Sequence, residues 1–173
     1  MNLATDMQHW KMETGDAGIL WLGFDQADSS TNTLGSAVMG ELDTALDRIA
    51  AENPRALIVY SAKNNGFAAG ADINEFIKLE NESQAYALIR SGQKILDKLA
   101  TLPCPTIAMI HGFALGGGLE LALACRYRIA ADGERTQLGF PEVKLGIHPG
   151  FGGSIRSVAV MGVTPAMKIM LTG

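Results

Sequence analysis

Apolar and polar positions along this chain switch between two periods. Residues 7–13 (MQHWKME) and 18–24 (GILWLGF) are short strand-like runs, and Thr14-Gly15-Asp16-Ala17 between them has the composition of a hairpin turn. A polar loop follows from Asp25 to Thr33. From Leu34 the pattern turns helical, with Leu42, Ala45, Leu46 and Ile49 spaced i, i+3, i+4 and i+7 ahead of Pro54. Residues 56–62 (ALIVYSA) form an apolar run bounded by turn signals, the mark of a buried strand. Lys63-Asn64-Asn65-Gly66 is a turn, and Phe67 to Ile73 leads into another helix with Asp72 as its cap. Residues 83–101 are amphipathic, with Leu88, Ile89, Gly92, Ile95, Leu96 and Leu99 on one face, until Pro103 and Pro105 stop them. Thr106 to Ile110 reads as a second buried strand, LELALACRYRIA as a helix, and 151–160 and 165–172 as two more. Strand, glycine turn and helix thus recur, which predicts one α/β domain with a largely parallel sheet.

Composition narrows this only a little. The chain has 173 residues, 47% hydrophobic and 18% charged, enough for one domain with a sizeable core. A net charge of −4 gives no electrostatic case for nucleic acid or an anionic membrane surface. No apolar run approaches the roughly 18–20 residues of a membrane span. The N-terminal stretch lacks the basic and apolar regions of a signal peptide. Cys104 and Cys125 lie apart in apolar surroundings, which favours reduced, buried thiols and a cytoplasmic location. The final MKIMLTG stops in or just past a helix, so the expectation is a domain cut from something longer or sharing its last elements with a partner.

The candidate chemistry lies between Gly112 and Gly153. Gly116, Gly117 and Gly118 precede a helix without any propensity reason to do so, and they suit a backbone that aims free N–H groups at a ligand. Glu120 follows among leucines and alanines, Glu142 stands in Phe-Pro-Glu-Val, and a second glycine cluster comes at Gly146, Gly150, Gly152 and Gly153. Gly70 offers a similar corner before Asp72. Plainer readings exist for each part: Glu120 as a solvent-facing acid favoured by the helix dipole, Glu142 as a loop acid, Gly70 as a packing corner. Together, bare donors and two acids in apolar company point to anion stabilisation coupled to proton transfer. The glycines match neither the Walker pattern nor GxGxxG, and Gly153-Ser154-Ile155 is no nucleophile elbow. His9, His111 and His148 have no metal spacing.

FAAGADINEF, HGFALGGGLELALACRYRIAA and FPEVKLGIHPGFGGSIR resemble, in order, the motifs of the enoyl-CoA hydratase/isomerase (crotonase) family. The wording is nearest to the hydratase domain that opens bacterial multifunctional fatty-acid oxidation proteins, and it runs from about Ile19 to Gly173. The resemblance implies an α/β crotonase-like spiral of ββα units over residues 1–173, truncated at its C-terminus. It also implies assembly as a homo-oligomer of the trimer type, and an acyl-CoA thioester as partner. No metal or redox cofactor is implied; coenzyme A belongs to the substrate, and NAD enters only if a dehydrogenase domain follows. The backbone N–H groups of Ala71 and Gly117 match the family's oxyanion hole, and Glu120 and Glu142 match its acid/base pair. Ala69 and Ile73 fall where members contact the adenine of coenzyme A, with Gly70, Asp72 and Gly116 beside them in the substrate site. The activity so implied is hydration of trans-2-enoyl-CoA in fatty-acid β-oxidation. An isomerase moving a 3-enoyl double bond, and a non-catalytic acyl-CoA binding or assembly domain, stay open as alternatives.

Overall fold

The structure, a computed structural model, describes residues 7–173. Met1 to Asp6, part of the stretch read for a signal peptide, lie outside the described residues. Strand β1 (Trp10–Thr14) pairs antiparallel with β2 (Ile19–Phe24). The first strand starts at Trp10 rather than residue 7 because the amides of Gln8 and His9 bond the Glu41 carboxylate instead of a strand partner. Trp10 faces Phe24 across the ladder and stacks on it at 4.3 Å, while its Nε1 donates to the Val38 carbonyl. The connection is a 3₁₀ turn, Asp16–Gly18, with Ala17 in the left-handed region at φ 56°. The hairpin is therefore present, with its turn one residue further along than predicted.

Helix α1 (Ser36–Glu52) carries the chain to β3 (Ala56–Ser61), which lies parallel to β2. From there the chain advances as a spiral. Each turn adds one strand to a large sheet, one three-residue strand to a small sheet, and then a helix or helical turn. The first turn is β3, β4 (Gly66–Ala68), and then α2 (Ile73–Phe76) and α3 (Glu82–Ala100). The second is β5 (Thr106–Ile110), β6 (Phe113–Leu115) and α4 (Gly117–Ala124). The third is β7 (Tyr127–Ala130), β8 (Gln137–Gly139) and a 3₁₀ turn, Pro141–Leu145. Helices α5 (Gly153–Met161) and α6 (Val163–Thr172) follow. The large sheet has the order β1-β2-β3-β5-β7 and the small one β4-β6-β8, all parallel except β1. This is the α/β spiral expected from the sequence.

One expected helix is shorter than its pattern suggests. LELALACRYRIA does not stay helical: α4 ends at Ala124, and Tyr127–Ala130 becomes β7, parallel to β5. Cys125 turns the backbone extended (φ −71°, ψ 148°), and the Arg126 amide donates to Thr106 Oγ1 at 2.8 Å. Arg128 caps the abandoned helix end by donating to the Cys125 carbonyl at 2.7 Å. The open edge of β5 thus overrides a helix-compatible run by offering a ladder.

The core lies between the large sheet and the helices. Leu20, Leu22, Phe24, Leu57 and Val59 meet Leu42, Leu46 and Ile49 of α1 and Leu96 and Leu99 of α3, all fully or nearly fully buried. Each such side chain contributes about 1.5–3 kcal/mol relative to exposure. Cys104 and Cys125 are buried and unpaired. Ile155, Val163, Met167 and Leu171 leave an apolar face open on α5 and α6. Among the described residues no helix is long and apolar enough to cross a membrane.

Candidate active site

The small sheet positions the site. The segments that follow the C-terminal ends of its parallel strands are Ala69–Asp72 after β4, Gly116–Glu120 after β6 and Phe140–Glu142 after β8. A parallel sheet presents its strand ends together at one edge, so three pieces distant in sequence converge there.

The first piece is held by a strand-like contact with residues 32–34. Ala69 N–H donates to the Asn32 carbonyl, Leu34 N–H to Gly70 O, and Asp72 N–H to Leu34 O. This is the pattern of a parallel bridge between Leu34 and Ala71, and such a bridge uses the groups flanking Ala71 rather than its own. The Ala71 amide therefore points away from its partner, and among the described residues it meets no backbone or side-chain acceptor. Asn32 fixes the arrangement from inside. It is buried, its Nδ2 donates to Phe24 O, Ser61 Oγ and Phe67 O, and its Oδ1 accepts from Gln26 N–H. Asp72 caps α2 as expected, accepting from Asn74 N–H at 2.9 Å.

Two of the three consecutive glycines have a specific steric reason. Gly116 sits at φ 53°, ψ −126°, and a Cβ there would stand 2.7 Å from Glu142 Oε1. A Cβ on Gly118 would press to 2.4 Å against the Ala68 carbonyl, so it is a packing glycine that seats α4 on β4. Gly117 opens α4, and the Ala71 nitrogen lies 3.3 Å from where its Cβ would be. Its own N–H, at the first helical position, has no partner among the described residues. Two free amides, Ala71 and Gly117, thus lie side by side at the positive end of a helix buried along its whole length.

Glu120, one turn into α4, is only 2% exposed, which removes the solvent-facing reading. Its Oε1 accepts from Phe151 N–H and Gly153 N–H, both at 2.7 Å, and Oε2 receives no bond among the described residues. A Cβ on Gly153 would lie 2.7 Å from Glu120 Cγ, so a side chain at 153 would displace the acid. Burial lifts the Glu120 pKa to about 7, helped by repulsion from Glu142 and opposed by the two amides and by Arg156. Glu142 lies half-buried in the 3₁₀ turn after Pro141, its pKa raised by burial and pulled back by its own backbone amide and by His148. Its Oε2 is buried with no hydrogen-bond partner among the described residues, an uncommon state for a carboxyl oxygen and one that disfavours the charged form.

Ala69 and Ile73 are exposed on the rim, whereas Gly70 and Gly116 are buried beneath. A cavity of about 170 Å³ opens where α1, α2 and α3 meet, lined by Leu34, Asp43, Glu75, Phe76, Leu88 and Phe151 among others, and neither amide nor either acid lines it. Leu34 separates it from the glycine turn, its Cδ1 lying 3.4 Å from the Cβ direction of Gly117. The histidines are engaged locally: His9 accepts from Ala27 N–H, while His111 and His148 meet the carbonyls of Lys63 and Pro149. Among the described residues no three metal-ligating side chains cluster. Sequence reasoning missed Asn32, hidden in a polar loop, and the amides of Phe151 and Gly153. The glycine cluster at 150–153 was the available signal for the latter.

The sequence profile of the Enoyl-CoA hydratase/isomerase family matches residues 14–173. Among curated relatives, the fatty acid oxidation complex subunit alpha of Aliivibrio fischeri is 43% identical over 160 residues, and that of Vibrio vulnificus 38% over 170. These matches take in 91% and 98% of this chain but only 23% and 24% of the relatives, so the chain spans about a quarter of their length. The crystal structure of an enoyl-CoA hydratase from Bacillus anthracis superposes with a TM-score of 0.87 at 35% identity, covering 96% of this chain and 63% of that one. A structure from Geobacillus kaustophilus gives 0.89 at 32%, covering 98% and 62%. With the profile spanning nearly the whole chain and the spiral reproduced in both structures, the chain belongs to the enoyl-CoA hydratase/isomerase family.

Proposed function

We propose that this chain is an enzyme, the hydratase unit of a longer fatty-acid oxidation protein, and adds water to trans-2-enoyl-CoA thioesters. The observation that carries the reading is the convergence of two free amides, Ala71 and Gly117, with two buried-side carboxyls, Glu120 and Glu142. Hydration needs an oxygen nucleophile at C3, a proton for C2 and a place for the enolate charge. The two amides receive the thioester oxygen as it becomes negative, and preorganised donors of this kind act without reorganising. Glu120, held through Oε1, takes a proton from water through its free Oε2. Glu142 in its protonated form, which burial favours, gives the proton to C2.

The coenzyme A portion runs over the exposed rim at Ala69 and Ile73, past Gly70, Asp72 and Gly116. The reaction itself uses no metal and no redox cofactor; NAD enters only if a dehydrogenase unit accompanies this one in the longer protein. The open apolar face of α5 and α6 suits a homo-oligomer, and light scattering that finds only monomer would remove that part.

The test uses loss of the conjugated-thioester absorbance when the purified protein meets 2-enoyl-CoA. Replacing Gly117 by proline removes one donor and should lower kcat by at least about 10²–10³. Near wild-type turnover in that variant would exclude the amide assignment. Faster conversion of 3-enoyl-CoA would identify an isomerase, and binding without turnover of either substrate a binding module.

A further inference from the structure

We infer that Arg156 is a positioning residue for Glu120, clamping the turn whose amides hold the carboxylate; this rests on the reading of Glu120 as the base. The turn runs from Gly150 to Gly153, and its Phe151 and Gly153 amides both donate to Glu120 Oε1. From α5, Arg156 folds back over it, and Nη1 donates to the Phe151 carbonyl at 2.8 Å. The guanidinium passes directly above Gly152, where a Cβ would come within 2.5 Å of Nη1. Its Nη2 pairs with Asp97 of α3, and the arginine side chain is only 16% exposed. The same helix grips the turn at two more points. Gln93 Nε2 donates to the Gly150 carbonyl at 2.7 Å, and the Phe151 ring packs on Gly92, where a Cβ would come within 2.5 Å.

A continuous path therefore joins α3 to the acid: Asp97, the guanidinium, the Phe151 carbonyl, the Phe151 and Gly153 amides, and Glu120 Oε1. Each link fixes the next. A planar guanidinium can bond a carbonyl and a carboxylate at once from a fixed fork, which an ammonium cannot reproduce. Arg156 also supplies positive charge near an acid that burial and Glu142 both drive towards protonation. Among the charged groups nearby, Asp97 is paired with Arg156 itself, Arg128 donates to the Cys125 carbonyl, Lys144 lies against Gly173, and His148 acts on Glu142. Arg156 is thus the cation that opposes Glu142 at Glu120.

The test follows the Glu120 carboxyl carbon by NMR of glutamate-labelled protein, assigned by its loss in Glu120→Gln, together with kinetics. In Arg156→Gln, both the lost charge and the loosened amides raise the Glu120 pKa, so its titration moves to higher pH. The acid limb of the kcat profile moves with it. At neutral pH kcat should fall about 10²-fold, the scale of a misplaced catalytic group, with KM for enoyl-CoA changed far less. Arg156→Lys keeps the charge and should recover the titration but only part of kcat. Asp97→Asn, which keeps the arginine's charge and loosens only its anchor, should lower kcat by less without raising the Glu120 titration, and its kcat loss at unchanged KM carries the test if Arg156→Gln does not fold. An unmoved Glu120 titration and an unmoved kcat profile in a folded variant would overturn the inference. A wild-type protein that hydrates nothing while its Glu120 titration still answers to Arg156 would instead overturn the hydratase reading and leave the clamp standing.

Discussion

Glu120 and Glu142 are two carboxyls of one site with pKa values raised by the same cause, burial, yet the protein holds them in opposite ways. Glu120 stands on a helix, one oxygen tied by two amides and a cation close by; Glu142 stands on a single helical turn with an oxygen that bonds nothing among the described residues. Bonds from N–H groups favour a carboxylate, whereas an orphaned oxygen favours the acid. Burial nonetheless lifts Glu120 to about 7, so near neutral pH it can pass between acid and carboxylate, while Glu142 is raised in the same direction. The lesson is that the turn behind each acid, rather than the acid itself, sets how its carboxyl is held.

The largest expected effect comes from removing the exchangeable proton at either place. Glu120→Gln and Glu142→Gln should each lower hydration by about 10²–10⁴, the usual span for a general acid or base. Acyl-CoA binding, measured by calorimetry, should survive both. The double variant should lose little beyond either single one, because the two act on one water. A large loss in only one variant would break the comparison.

A smaller effect, and one that separates the two acids, lies in stability. Glu120 titrates near 7 in the folded chain against 4.5 for a free side chain. The folded state therefore binds its proton more tightly, so this contribution is fully present below about pH 4.5 and is lost as pH rises through 7. At about 1.4 kcal/mol per pH unit, it is on the order of 3 kcal/mol. Denaturant unfolding at about pH 5 and about pH 8 should show that decline in the wild type and a flatter profile in Glu120→Gln. An unchanged slope in the variant would place the titration elsewhere.

The smallest effect is expected at His148, whose positive charge pulls the Glu142 pKa down. His148→Gln should let Glu142 keep its proton to higher pH and move the alkaline limb of kcat upward. An exposed partner of this kind changes rates by no more than about fivefold. A shift of the acid limb instead would mean that the imidazole acts on Glu120.

The large sheet and its helices were legible because burial writes a period into the chain. Leu42, Leu46 and Ile49 repeat as a helix must, and ALIVYS and TIAMI stand out as apolar runs between turns, although only their alternate positions are buried. The small sheet was not legible. GFA, FAL and QLG are three residues each, too short to carry any period, and they are strands only because their neighbours pair with them. YRIA was hidden for the related reason that its helix-compatible residues follow a true helix without punctuation. In the site, the glycines and acids were visible as anomalies, since Gly116 and Glu120 have no local reason to be where they are. The groups that hold them were not: Asn32 looks like any loop asparagine, and an amide such as that of Gly153 has no side chain to notice.

The three-turn spiral has a kinetic consequence. Ala71, Gly117 and Glu142 belong to successive turns and meet only at the edge of the small sheet, whose strands cannot form singly. Gly117 and Glu120 share one piece of chain, but the second amide and the second acid come from the turns before and after it, and parallel pairing between distant strands is slow to form. Recovery of catalysis after dilution from denaturant should accordingly trail the recovery of helical signal, which makes turnover a reporter for the last act of assembly.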